Sequence, residues 1–204
     1  MLPYYSLQHY QLFPVTVMPA TFIDRLIPFS PPAVWPYLSI YLFMPIAPFL
    51  MNQRQQLLRY AIGVMMIEFV ASSIFLLWPT SCERPAIEIV NPLYRLLIRI
   101  DAPVHAFPSL HAAFAVYSAL CCELILPLLP IERSYLRTVS WLWTLLILYA
   151  ALATKQHVLA DLLAGSALGI FAFFIAFKLS IPLPKWAFVR TVTVTSTHTN
   201  STTS

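Results

Sequence analysis

The chain has 204 residues, of which 59% are hydrophobic and only 10% charged, and its mean hydropathy is +0.75. That balance excludes an ordinary water-soluble domain, where about 25% of residues carry charge. The formal net charge of +4 falls on short polar segments between apolar runs, so it gives no reason to expect a nucleic-acid partner.

Residues 1–32 are rich in Tyr, Phe and Pro, including Tyr4, Tyr5, Tyr10, Phe13, Phe22 and Phe29. Aromatic rings favour the membrane–water boundary, which predicts an interfacial N-terminal segment and leaves open a sixth, broken helix within it. Its first basic residue is Arg25, so it lacks the positive opening of a secretory signal. Five apolar runs follow: Ala33–Leu50, Leu57–Trp78, Ser109–Pro130, Thr138–Thr154 and Val158–Leu179. Each is near the ~20 helical residues that cross a ~30 Å hydrocarbon core. The first run is uncharged but interrupted by Pro36, Pro45 and Pro48, which a span tolerates only where neighbours satisfy the freed carbonyls. The predicted fold is therefore an all-α membrane protein, a bundle of about five transmembrane helices over residues 33–180. A polar tail, 181–204, ends in the Ser/Thr-rich run Thr191–Ser204 and reads as disordered.

Between the second and third spans, Ile87–Arg99 places Arg95 and Arg99 at helical spacing among apolar residues, which predicts a short helix on the membrane surface. Glu68 and Glu123 lie inside spans, where a carboxylate is expected to be neutral or paired within the bundle. Cys82 lies in a loop, far from Cys121 and Cys122 within a helix, so the three do not form a disulfide framework. Arg54, Arg59, Arg133, Arg137, Lys178, Lys185 and Arg190 fall at one end of the spans, against Arg25, Arg84, Arg95, Arg99 and Lys155 at the other. The richer end is cytoplasmic by the positive-inside rule, and the poorer one extracytoplasmic at the cell membrane.

Two motifs stand at that poorer end. Phe107-Pro108-Ser109-Leu110-His111 opens the third span, and His157-Val158-Leu159-Ala160-Asp161 opens the fifth. Polar groups at membrane depth are costly and mark function. His157 and Asp161 are four apart, which on a helix puts them on one face, where the carboxylate would hold the ring in one tautomer. Gly165 and Gly169 continue that stripe and would let another helix approach closely. Ser109 after Pro108 is a helix N-cap signal, and the free N–H groups of the following turn suit a phosphate. Arg84-Pro85 and Lys155 add cations nearby. Each feature also has a plain structural reading: a His–Asp pair between helices, a capping serine, and cations anchoring helix ends at the interface.

The three pieces in this order resemble the type 2 phosphatidic acid phosphatase (PAP2) superfamily, whose motifs are written K-x6-R-P, P-S-G-H and S-R-x5-H-x3-D. The resemblance spans roughly residues 24–178. Arg84-Pro85, Pro108-Ser109-Leu110-His111 and His157-x3-Asp161 carry it. Phe-Pro-Ser-Leu-His together with Thr154-Lys155-Gln156-His157 is more similar to the branch of inositol phosphorylceramide synthases and small bacterial members. The motif-one lysine would fall at Leu77, and the Ser-Arg of motif three at Ala150-Ala151. The resemblance implies a core like that of the vanadium haloperoxidases and metal-independent phosphoryl transfer with no cofactor. In that scheme His157 is the nucleophile, Asp161 its orienter and His111 the acid and base. Ser109, Leu110, Arg84 and Lys155 would hold the phosphoryl oxygens, with Lys155 replacing a missing cation. The expected activity is a phosphatase acting on a lipid phosphate or pyrophosphate. The alternatives are a phosphotransferase to a lipid alcohol and a non-catalytic lipid-binding protein on the same scaffold.

Overall fold

The computed structural model describes residues 13–84, 91–100, 104–128 and 134–179. The expected tail, 181–204, lies outside them. Strand β1 (Thr16–Val17) is followed by α1 (Phe22–Leu26), a single turn closed by a capping box between Thr21 and Asp24. A 3₁₀ turn at Pro31–Ala33 leads into α2 (Val34–Leu38), α3 (Ile40–Phe43) and α4 (Ile46–Leu50), which together cross as the first span. The prolines break this span into pieces, as their missing N–H groups require. Pro48 frees the Met44 carbonyl, and the Tyr60 hydroxyl takes it at 2.9 Å. The neighbouring helix thus supplies the donor that the proline cannot.

Helix α5 (Arg54–Leu77) ends beside β2 (Thr80–Ser81), which pairs in parallel with β1. Helix α6 covers Pro92–Ile100, α7 Leu110–Ile125 with a 3₁₀ turn at Leu126–Leu128, α8 Ser134–Ala153, and α9 Leu159–Phe173 with a π turn at Phe174–Lys178. Five stretches are long and apolar enough to cross a membrane, and among the described residues no sixth one stands in the N-terminal segment. Helices α5 and α8 begin earlier than their apolar runs because Arg54, Gln55, Gln56, Tyr135 and Arg137 form polar or amphipathic first turns that a hydrophobic window passes over. Helix α6 starts at Pro92 because Asn91 caps it, its Oδ1 accepting from the N–H groups of Leu93 and Tyr94 at 3.0 and 3.1 Å. Residues 87–90 of the expected surface helix lie outside the described residues.

The two membrane glutamates behave differently. Glu123 is paired, accepting from Arg137 Nε and Trp141 Nε1 of α8, each at 3.0 Å. Glu68 is exposed on the outer side of α5 and not buried in the bundle. The three cysteines are free and buried.

Helix α7 is the hub, with eleven of its residues buried and α9 packed along it. That packing depends on two glycines. A Cβ on Gly165 would run into the carbonyl oxygen of Ser109, and one on Gly169 into that of Ala113. Backbone cannot yield as a side-chain tip does, so even a methyl group must push the helices apart. Gly165→Ala is therefore expected to destabilise the fold by ~1–3 kcal/mol, the usual cost of overpacking. Thermal unfolding in detergent checks this, and a melting temperature equal to that of the wild type would contradict the contact.

Candidate functional site

The C-terminal ends of α5 and α8 and the N-terminal ends of α7 and α9 meet at one end of the bundle, and the sequence motifs come together there. Ser109 is the N-cap of α7, its Oγ accepting from Ala112 N–H at 3.3 Å. Its own N–H donates to the Asp161 carbonyl at 3.0 Å, tying the start of α7 to the first turn of α9. Leu110 and His111 occupy the first two helical positions of α7, whose N–H groups have no partner within a helix.

His157 is not on a helix. It lies two residues before α9, with Val158 as the N-cap and Asp161 in the first turn. The expected shared helix face is therefore replaced by a loop-to-helix contact. His157 Nδ1 stands 3.6 Å from Asp161 Oδ2, an ion-pair distance, while the shorter contact of Nδ1 is the Ala106 carbonyl at 3.1 Å. A carbonyl only accepts, so Nδ1 carries the proton and Nε2 keeps its lone pair. Asp161 is fully buried. Its Oδ2 accepts from Val158 N–H at 3.0 Å and from the Cys82 thiol at 3.2 Å, while Oδ1 has no partner among the described residues.

The ring centroids of His111 and His157 are 6.0 Å apart. Tyr37, fully buried on α2, stacks on His111 with centroids 4.0 Å apart and places its hydroxyl 3.2 Å from Nδ1. That contact leaves Nε2 of His111 buried without a partner in the described structure. Both rings are thus held at one nitrogen and open at the other.

The expected cations part ways. Arg84 reaches the His157 turn, Nη2 donating to Gln156 Oε1 at 2.6 Å, although Pro85 lies outside the described residues. Lys155 does not serve as expected. Its ammonium donates to the carbonyls of Asp24 and Ile27 at 2.7 and 2.6 Å, so it anchors the end of α1 and two of its three donors are taken from any phosphate. Nor could Ala150 and Ala151 give way to cations without loss, because both are fully buried in an apolar cluster with Tyr37 and Tyr94.

Several residues that shape the site carry no local sequence signal. Tyr37 is 74 positions from His111, and Ala106 contributes only a carbonyl, which every residue has. Gln156 could have been noticed as a buried polar side chain beside His157; its Nε2 donates to the Tyr94 hydroxyl at 3.2 Å. Two backbone positions near the His157 contact are strained: His105 at φ 81 and Lys155 at φ 53 lie in the left-handed region that non-glycine residues avoid. His105 is buried against Phe75, and burial lowers its pKa, which favours the neutral ring.

A family model of the PAP2 superfamily matches residues 57–183. The chain belongs to the PAP2 superfamily. A crystal structure of Aquifex aeolicus LpxE shares its fold, with a TM-score of 0.55 and 21% sequence identity over 77% of this chain and 93% of that one. No curated protein matches the chain at a significant level. Among the described residues of this PAP2 protein, no three His, Cys, Asp or Glu side chains are grouped as a metal would require.

Burial first, and the Asp161 carboxylate second, push the Cys82 thiol well above the ordinary cysteine range. Thiol reagents act on the thiolate, so native protein at pH 8 is expected to react slowly at Cys82, with the rate still climbing above pH 9. Mass spectrometry of maleimide adducts checks this. Rapid labelling of folded protein at pH 8 would contradict the Cys82–Asp161 contact.

Proposed function

We propose that this PAP2 protein is an integral-membrane phosphatase that removes the phosphoryl group of a lipid phosphate or pyrophosphate through a phosphohistidine. The observation that carries this reading is the His157 Nδ1–H bond to the Ala106 carbonyl, which leaves Nε2 as a lone-pair nucleophile facing the same end of the bundle as His111. In the first step Nε2 bonds to phosphorus and the P–O bond to the lipid breaks, its oxygen taking a proton from His111 Nε2. In the second step His111 Nε2 takes a proton from water, whose oxygen bonds to phosphorus, and inorganic phosphate leaves His157. The Tyr37 hydroxyl oxygen can accept from Nδ1–H of His111 throughout this cycle, so Nε2 is the atom that loses and regains the proton.

Asp161, 3.6 Å from His157 and fully buried, stabilises the positive charge that the ring acquires as it is phosphorylated. Arg84 beside Gln156 and the N–H groups of Leu110 and His111 are the groups assigned to the phosphoryl oxygens, with Ser109 holding the turn that presents them. No step uses a metal. The site belongs on the extracytoplasmic face, as the distribution of basic residues favours.

The test is phosphate release by purified protein in detergent from a panel of lipid phosphates and pyrophosphates, with and without alcohol acceptors and chelator. His157→Ala and His111→Ala are expected to abolish turnover, while Asp161→Asn keeps a residual rate because the nucleophilic atom remains. Arg84→Ala should cost ~10²-fold in kcat/KM, in the range for removing one electrostatic stabiliser. Wild-type turnover by folded His157→Ala protein would end this reading. Headgroup transfer to a lipid alcohol, in place of hydrolysis, would move the protein to the inositol phosphorylceramide synthase-like branch. The orientation is read separately with Asn52→Cys and Glu83→Cys, both at exposed positions and at opposite ends of α5. On intact cells an impermeant reagent should label position 83 and spare position 52.

A further inference from the structure

The family match begins at residue 57, yet two parts of the preceding segment grip the turn that carries His157. On one side Lys155, two residues before His157, donates to the carbonyls of Asp24 and Ile27. On the other side Leu159, two residues after it, donates its backbone N–H to Asp24 Oδ1 at 2.8 Å. Asp24 is 5% exposed, and its second oxygen accepts from Thr21 N–H and Thr21 Oγ1–H at 2.7 and 2.6 Å. A carboxylate buried with this many donors is fixed in place, and the donor from Leu159 is the first helical N–H of α9, which no residue of that helix can satisfy.

The same segment reaches His157 by a second route. Strand β1 pairs with β2, with Thr16 N–H on the Pro79 carbonyl at 2.9 Å and Met18 N–H on the Ser81 carbonyl at 2.8 Å. Thr80 of β2, fully buried, then accepts from Ala106 N–H on its carbonyl at 3.0 Å and from Phe107 N–H on its hydroxyl at 2.8 Å. Ala106 is the residue whose carbonyl holds His157 Nδ1. Residues 16–27 therefore bound the histidine on both sides, through the turn that carries it and through the carbonyl that orients it.

We infer that this N-terminal segment is a positioning element for His157, with Asp24 its key residue, acting through Leu159 and the 155–159 turn rather than on substrate. The inference rests on the proposed phosphatase reading. A plain scaffold role would lower stability and leave the rate of folded protein unchanged. A positioning role lowers kcat, because displacing a reacting atom by about 1 Å can cost ~10²-fold, and leaves substrate affinity nearly intact.

The variants are Asp24→Ala, Asp24→Asn and Leu159→Pro. The proline removes the backbone donor held by Asp24 along with the partly buried Leu159 side chain, at the first helical position where proline is favoured, and after Val158, whose extended φ −104 and ψ 165 suit a following proline. Kinetics are measured on phosphatidic acid in mixed micelles, and hydrogen exchange is followed over residues 155–160. Asp24→Ala and Leu159→Pro are each expected to lower kcat by ~10-fold or more with KM within about threefold, as a misplaced reacting group would. Exchange over the turn should speed up in both, and the double variant should lose no more than Asp24→Ala alone, because the bond that Leu159→Pro removes is already absent there. Asp24→Asn keeps an oxygen for Leu159 N–H and should recover most of kcat. Wild-type kcat in Asp24→Ala or Leu159→Pro, with the turn exchanging faster, would overturn the inference and leave the phosphatase reading standing. A wild-type protein that hydrolyses neither phosphatidic acid nor any other lipid phosphate would overturn the reading itself, and this inference with it.

Discussion

The contact between α7 and α9 is the constraint on which the rest of the site depends. Gly165 and Gly169 leave no side chain between α9 and the backbone of Ser109 and Ala113. Only at that separation can Ser109 N–H reach the Asp161 carbonyl, and only then do the starts of two parallel neighbours fall at the same depth. His111, in the first turn of α7, and His157, just ahead of α9, owe their 6.0 Å ring separation to this register. In lipid there is no hydrophobic force to press helices together, so the close approach rests on packing and on the backbone bond at its end. The remaining elements build outward from this pair: α2 brings Tyr37 over His111, and α8 ends where the His157 turn begins.

A second constraint follows from burying Asp161. Its carboxylate is fully buried, and the partners seen are Val158 N–H, the Cys82 thiol and the edge of His157. None of these is a permanent cation. An anion so placed is costly unless its surroundings supply positive potential, and here the start of α9 provides it through its N–H groups and dipole. Asp24 takes the next donor of that same helix start. Two carboxylates therefore share one helix terminus. Under the proposed phosphohistidine reading, added positive charge on His157 would relieve this concentration of negative charge. The histidine needs no direct hydrogen bond to Asp161 for that benefit, since electrostatic attraction acts at 3.6 Å while the Ala106 carbonyl fixes the tautomer.

Much of this was legible in the sequence because it is encoded by local patterns. Apolar runs of the right length marked the spans, Pro108-Ser109 marked the start of α7, and the Gly165/Gly169 stripe marked a close helix contact. The positions of Lys155 and Ala106 were not legible, for one shared reason. Their partners are backbone carbonyls and N–H groups, which every residue carries and no sequence pattern distinguishes. Lys155 looked like a phosphate ligand from its place beside His157, but a left-handed backbone at φ 53 and two carbonyls at the end of α1 turn it elsewhere. Thr21-x-x-Asp24 is a capping-box pattern that could have predicted α1, yet nothing in it tells that the same carboxylate also caps a helix 135 positions away.

The altered third motif and the N-terminal clamp are two sides of one rearrangement. Where the superfamily pattern has Ser-Arg, Ala150 and Ala151 sit fully buried among Tyr37, Tyr94 and Leu162. A cation there would be surrounded by apolar groups and aromatic faces, whereas small side chains leave the cluster dry and belong to the same packing that holds Tyr37 against His111. The carbonyl of Ala151 then faces the turn, within 3.3 and 3.4 Å of the N–H groups of Gln156 and His157. Position 151 therefore shapes the turn through its backbone, where the superfamily pattern would act through a charged side chain. Lys155, itself part of that turn, ties it to α1, and Arg84 stands beside it, on Gln156. Among the described residues the site thus combines few fixed positive charges with tightly bonded backbone, and under the proposed reading the helix start of α7 would carry a correspondingly larger share of a phosphate's negative charge.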